Sequence, residues 1–290
     1  QHHSIILSNE ILSQTVTKFT QAFVDDLVES LDDFQVVVVV TYRPWFEWVA
    51  SLQDQMTKNI LVRQRDWPGN EGGRRMDSLH RFMERQLRYK LQHTTKRQKY
   101  PFVDEIIPIF CNHSQIDLKI VDIHEDGDFV TNFVCKTLSG ATRTCNALKN
   151  TNDTIEDRNK AENKLWYDIL AVEAYKKGMV SGSRLRVFNR IRKFQQETLG
   201  KNAMDFPKIC PPSGFLKRIL KESIQAAKRI WPNPARHGRL ERQHRRLFAR
   251  AVETDKFCTI NATAVLEDRG WIDFFNRMGV PGQRKQAISQ

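Results

Sequence analysis

The sequence predicts an α/β protein, with a parallel sheet flanked by helices and a mainly helical C-terminal half. Three observations predict it. The first is Phe34-Gln35-Val36-Val37-Val38-Val39-Val40-Thr41-Tyr42-Arg43, whose five consecutive valines are β-branched, stiff at χ1 and suited to a strand. No polar residue alternates with them, so both faces are expected to be covered, as in a parallel sheet between helices. The second is a change of period. After Arg43, Trp45, Trp48, Leu52 and Met56 recur at helical spacing, and Pro44 suits a first helical turn. The third lies upstream, where a strand pattern and a helix pattern precede the valines. Strand, helix and strand in that order make a right-handed unit whose strands run parallel.

Residues 4–8 read as a short buried strand that ends at Ser8-Asn9-Glu10. Over residues 12–31, Val16, Phe19, Phe23, Leu27 and Leu31 fall on one helical face, and Asp32-Asp33 closes the helix. Parallel strands put their carboxyl ends on one edge, so Glu10 is expected on the edge that carries Arg43. Residues 63–75 are polar, glycine-rich and basic, either a surface loop or a lid over substrate. Residues 79–91 read as a basic helix and 94–99 as a basic turn; each is a wall for an acidic glycan or a solvated face. A short amphipathic helix over 102–110 precedes a strand over 118–123, which ends in His124-Glu125-Asp126. Phe129, Phe133 and Val134 begin another helix, and residues 140–145 read as a polar loop. The charged stretch 150–163 reads as a linker between an α/β core (1–150) and a helical region (151–290) that packs on it. Helices are expected over 165–179, 184–199, 215–231 and 240–254, punctuated by Pro207, Pro211, Pro212, Pro232 and Pro234. Residues 236–250 are rich in Arg and carry His237 and His244, either a polyanion-binding stretch or a solvated helix end. Trp271, Phe274 and Phe275 are expected to pack the last helix on the core.

At 290 residues, 40% hydrophobic and 28% charged, the chain has the composition of a globular protein. No run of about 18 apolar residues occurs, so no membrane-spanning helix is expected. The start, Gln1-His2-His3-Ser4, reads as the interior of a domain and not as a leader. A net charge of +12 points to polyanionic partners: nucleic acid, acidic or sulfated glycans, or nucleotide phosphates. Cys111, Cys135, Cys145, Cys210 and Cys258 form no CxxC pair and no zinc-like spacing. Cys135 and Cys145 bracket a short stretch and either form a bridge or stay as separate thiols. N-x-S/T sequons begin at Asn112, Asn152 and Asn261; with the cysteines they favour an oxidising, secretory-lumen setting.

Arg43 falls at the carboxyl end of a central strand, where open α/β sheets bind ligands. Ser51, eight residues on, is about two helical turns further along. Arg offers a planar, permanently charged fork for phosphate, and Ser adds a hydroxyl donor. The plainer reading makes Arg43 a strand cap and Ser51 an ordinary helix residue. This arrangement resembles the sulfotransferase family, in which a strand ending in Arg is followed by a helix carrying Ser eight residues later. The resemblance implies that Arg43 and Ser51 grip the 3′-phosphate of 3′-phosphoadenosine 5′-phosphosulfate (PAPS), on a P-loop-like parallel sheet. It implies that Glu10, at the tip of the preceding strand, is the base that takes the acceptor's proton. Its alternative role is a helix-capping carboxylate. It also implies that His124, where the family has an aromatic residue, contacts the adenine; otherwise His124 is a structural residue at a strand end. Ala141-x-x-Thr144-Cys145 is similar to sulfotransferase-like proteins of marine algae.

The family's phosphosulfate loop, rich in Lys, Gly, Ser and Thr, has no counterpart here, and no GxxxxGK[ST] occurs. It belongs upstream of residue 4, so the chain reads as N-terminally truncated. Arg284-Lys285 is the nearest match to the family's loop over the 3′-phosphate. The expected function is transfer of a sulfuryl group from PAPS to a hydroxyl or amine acceptor, carbohydrate by preference, without a metal. The expected partners are the nucleotide donor and an acidic or neutral glycan, not nucleic acid. The expected location is the Golgi lumen, with membrane attachment only through an N-terminal anchor outside this sequence. The alternatives are a non-catalytic binding protein for acidic glycan or nucleic acid on the same scaffold, and a P-loop kinase without its phosphate loop.

Overall fold

The computed structural model describes residues 21–63, 67, 78–91, 102–111, 113–125, 129–138, 140–150, 164–201 and 205–278. The strand at 4–8, Glu10, most of the 63–75 loop, the 94–99 turn, the linker after Asn150 and Arg284-Lys285 lie outside these residues. Among the described residues the protein is mostly helical, with a small parallel sheet. It divides into two compact units. The first comprises Gln1–Trp48, Arg85–Thr154 and Leu216–Ala249; the second comprises Val49–Glu84, Ile155–Phe215 and Arg250–Gln290.

In the first unit, helix α1 (Gln21–Glu29) leads into strand β1 (Val36–Tyr42). Helix α2 (Trp45–Arg63), which belongs to this unit only through Trp48, begins directly after Arg43-Pro44, and Pro44 O accepts from Glu47 N at 2.9 Å and Trp48 N at 3.0 Å. Pro44 thus sits one residue before the helix, and its carbonyl opens the helical ladder. Helix α3 (Leu79–Leu91), which belongs to this unit from Arg85 on, and helix α4 (Val103–Cys111) precede strand β2 (Ile116–Asp122). The strands pair in parallel, in register from Val36 with Ile116 to Tyr42 with Asp122. Val24 and Val28 of α1 and Phe110 of α4 pack over Val36 and Ile116. The complete covering expected of the valine run is not reached: Val37 to Val40 are half-buried and Thr41 is exposed. Among the described residues β1 has a single neighbouring strand, which leaves its other edge without a ladder partner there.

Helix α5 (Phe129–Thr137) is followed by helix α6 (Thr142–Asn150). The expected polar loop over 140–145 is therefore only a turn: Gly140, at φ +83°, reverses the chain, and Cys145 N already bonds Ala141 O at 2.8 Å. Cys135 and Cys145 are bridged, tying α5 to α6.

The second unit has an aromatic core. Helix α7 (Lys164–Lys176) and helix α8 (Arg184–Lys193), which runs on into a π-helical turn (Phe194–Thr198), contribute Trp166, Tyr167, Leu170, Val187, Ile191 and Phe194. A two-residue antiparallel pair, β3 (Lys208–Ile209) with β4 (Thr259–Ile260), is stapled by a Cys210–Cys258 disulfide that the sequence did not foretell. Asp255 lies beside these cysteines, but both sulfurs are consumed in the bridge and Asp255 pairs with Lys208 at 2.6 Å. Helix α9 (Ser213–Ile230) and helix α10 (Pro234–Glu253) are shared between the units by sequence. Helix α10 starts six residues before its expected start at 240. Pro234 takes the first helical position, where its missing N–H costs nothing, and Asn233 Oδ1 accepts from Ala235 N at 3.0 Å. Helix α11 (Ala262–Glu267) and helix α12 (Arg269–Met278) complete this unit's own core with Val265, Leu266, Trp271 and Phe275, so the last helix packs here and not on the expected α/β core. No described helix is long and apolar enough to cross a membrane.

Candidate functional site

Because β1 and β2 are parallel and in register, the chain leaves both at the same edge, and Ile123 N donates to Tyr42 O at 3.0 Å to close the pairing. Arg43 follows β1 and is exposed. His124 follows β2. The first turn of α2 brings Glu47 in from the side, and the His124 ring donates from Nε2 to Glu47 Oε2 at 2.7 Å. Glu47 is buried, whereas the His124 side chain keeps 26% of its surface in solvent. A carboxylate fixing one nitrogen of an imidazole sets its tautomer and orientation.

The main chain at this turn is also held. His124 N donates to Asp122 Oδ1 at 2.9 Å, and Gln243 Nε2 of α10 donates to Asp122 Oδ2 at 3.2 Å and to His124 O at 3.1 Å. Burial pushes the Asp122 carboxyl up from its usual range, and the His124 N–H bond works against that shift.

Beneath the edge lies a buried pair. Tyr42 Oη and His244 Nε2 are 2.7 Å apart, and His244 Nδ1 is 2.8 Å from Leu240 O. The carbonyl can only accept, so Nδ1 carries the proton and Tyr42 donates to Nε2. Burial pushes the Tyr42 hydroxyl well up and the His244 ring down, which keeps both neutral. Trp231 meets the Tyr42 ring edge-on at 4.7 Å, and the Ser223 hydroxyl accepts the Trp45 N–H at 3.0 Å. That bond satisfies one of the unpaired donors at the start of α2.

Of the residues singled out from sequence, Arg43 and His124 therefore leave one sheet edge. Ser51 is exposed on α2, and Glu10 lies outside the described residues. Glu47, Asp122, Gln243 and His244 were not singled out as site residues. Glu47 was hidden among tryptophans that mark a core helix, and Gln243 and His244 inside an arginine-rich run. Compared with known proteins, the chain matches no family model, no curated protein and no solved structure.

Proposed function

We propose that this protein is a sulfotransferase that binds PAPS at the carboxyl edge of β1 and β2 and passes its sulfuryl group to a carbohydrate hydroxyl. The parallel pairing of the two strands carries the reading, because ligands of open α/β sheets sit at that edge. The exposed Arg43 fork there suits a ribose-borne phosphate, with Ser51 as the second ligand. The carboxylate-anchored His124 ring supplies a flat, oriented surface for the adenine. On this reading β1 and β2 belong to a P-loop-like sheet.

Glu10 takes the proton as the acceptor oxygen attacks sulfur. The new O–S bond forms as the S–O bond to the 5′-phosphate breaks, and adenosine 3′,5′-bisphosphate leaves with that bond's electron pair. Charge stabilisation by basic side chains is the main catalytic term, as in phosphoryl transfer. The two disulfides support a lumenal, Golgi-type setting.

Titration calorimetry with adenosine 3′,5′-bisphosphate tests the proposal. The protein is expected to bind it, and Arg43→Ala is expected to abolish binding while leaving the melting temperature within a degree or two, since Arg43 is exposed. Unchanged affinity in Arg43→Ala would refute the site, and tighter competition by ATP with magnesium would point to a kinase.

A further inference from the structure

We infer that the second unit carries a separate binding groove for an extended anionic polysaccharide, laid along α8 and the π-helical turn that follows it. Two hollows open on this surface. One, of about 480 Å³, is lined by Ser183, Leu185, Arg186, Asn189, Arg190 and Lys193. The other, of about 320 Å³, shares Arg190 and Lys193 and adds Arg277, Thr198 and an apolar floor. The shared residues make the two a continuous trough. No acidic residue lines either hollow.

The cations are arranged along one line. Arg186, Arg190 and Lys193 stand at i, i+4 and i+7 of a helical stretch, so they form one ridge about 10 Å long at 1.5 Å per residue. Like charges at this spacing repel on an exposed helix. Among the described residues neither Arg186 nor Arg190 has a carboxylate partner. Lys193 lies 3.6 Å from Glu197, but both side chains are largely exposed, so a polyanion can displace that contact. A ligand with anionic groups spaced along it relieves the repulsion; a compact anion would meet only part of the ridge.

The floor distinguishes a glycan from nucleic acid. Single-stranded nucleic acids are held by aromatic faces open for base stacking. Here the half-buried Phe274 is stacked on Phe194 at 4.3 Å and meets Trp271 and Phe275 edge-on, so one face of its ring is already covered. What remains is a row of guanidinium forks and the Ser183, Asn189 and Thr198 side chains, which suits sulfate, carboxylate and hydroxyl groups. The Cys210–Cys258 bridge of the same unit belongs to oxidising compartments, where anionic polysaccharides are found.

The test is calorimetry of the full chain with a heparin octasaccharide over a salt series, beside a single-stranded oligonucleotide of equal charge. The octasaccharide is expected to bind more tightly. Arg190→Gln should lower the slope of log K against log salt by about 1. The combined Arg186→Gln, Arg190→Gln and Arg277→Gln variant should lose at least tenfold in affinity, with an unchanged near-ultraviolet circular dichroism spectrum. Arg245→Gln, on the arginine-rich α10, should bind like the parent. Three results would overturn the inference: parent-like affinity in the triple variant, a loss that follows Arg245→Gln instead, or tighter binding of the oligonucleotide. None of these outcomes bears on the adenosine 3′,5′-bisphosphate site.

Discussion

The two units differ in how much polarity each buries beside its apolar core. In the second, the buried set is almost wholly apolar: Trp166, Tyr167, Phe194, Phe206, Trp271 and Phe275 interlock, and the Trp67 and Tyr175 rings stack at 4.3 Å. In the first, polar groups are buried among the apolar ones: His244, Ser223, Glu47 and the Lys90–Asp104 pair, the last also bonded by the half-exposed Arg229. An apolar core tolerates loss of one member at the cost of a cavity. A buried polar network is less forgiving, because removing one partner strands the other without water. Stability in the second unit therefore rests mainly on volume, and in the first on satisfied partners as well as on an apolar core of its own.

Breaking the polar side of this contrast should have the largest effect. Lys90 Nζ lies 2.9 Å from Asp104, and their side chains are only 4% and 2% exposed. Asp104→Ala leaves the buried ammonium with only the longer contact to Glu105, at 3.7 Å, and also removes the partner of Arg229, so it should cost about 4 kcal/mol in urea unfolding. Replacing both partners, as in Lys90→Met with Asp104→Leu, should recover most of that loss. A cost for the single variant below about 1 kcal/mol would show that the first unit does not depend on this cluster.

The next effect separates the units by their staples. Removing the Cys210–Cys258 bridge, which spans 48 residues, should cost about 3 kcal/mol. The Cys135–Cys145 bridge spans 10, and the shorter loop should make its loss about 1 kcal/mol milder. Thermal melts of Cys210→Ala/Cys258→Ala and Cys135→Ala/Cys145→Ala, compared at one pH, give the order. The reverse order would mean that native contacts, not loop closure, set the difference.

The smallest effect is a pH dependence confined to the first unit. The folded state holds the His244 ring below its usual pKa of 6.5, so the unfolded chain binds that proton more readily. Stability from this group is complete above 6.5 and is lost as pH falls below it. Asp122 acts the other way: its raised pKa costs stability at neutral pH, and that cost fades as pH falls towards 3.8. Melting temperature should therefore decline from pH 7.5 to 5.5 in the parent protein, and less so in His244→Gln. Equal slopes in the two proteins would remove His244 as the cause.

Local chemistry was readable where one signal dominated. The valine run and the Trp45-Trp48-Leu52 spacing appear where the residues put them, and the strand expected over 118–123 is found two residues earlier at its start, over Ile116–Asp122, because β-branching and helical periodicity act over a few neighbours. The start of α10 was not, since Pro232, Pro234 and Gly238 read as breaks until Pro234 is seen at a first helical position. The short β3–β4 pair and the Cys210–Cys258 bridge join residues about 50 apart and leave no local trace. At the candidate site, Arg43 and His124 stood out as charged or aromatic groups at strand ends. Their supports did not: Glu47 meets His124 across 77 residues, and Gln243 meets Asp122 across 121.

The Trp45–Ser223 bond crosses 178 positions and the Tyr42–His244 bond 202. A ribosome adding roughly 5–20 residues per second needs roughly 10–40 s to travel between the latter two. Throughout that interval the nascent chain carries Arg43 and Glu47 without the groups that anchor the turn beside them. The sheet edge is thus braced only after residue 244 is made, and a message cut short before it would yield a protein with the strand but without the buried partner of Tyr42.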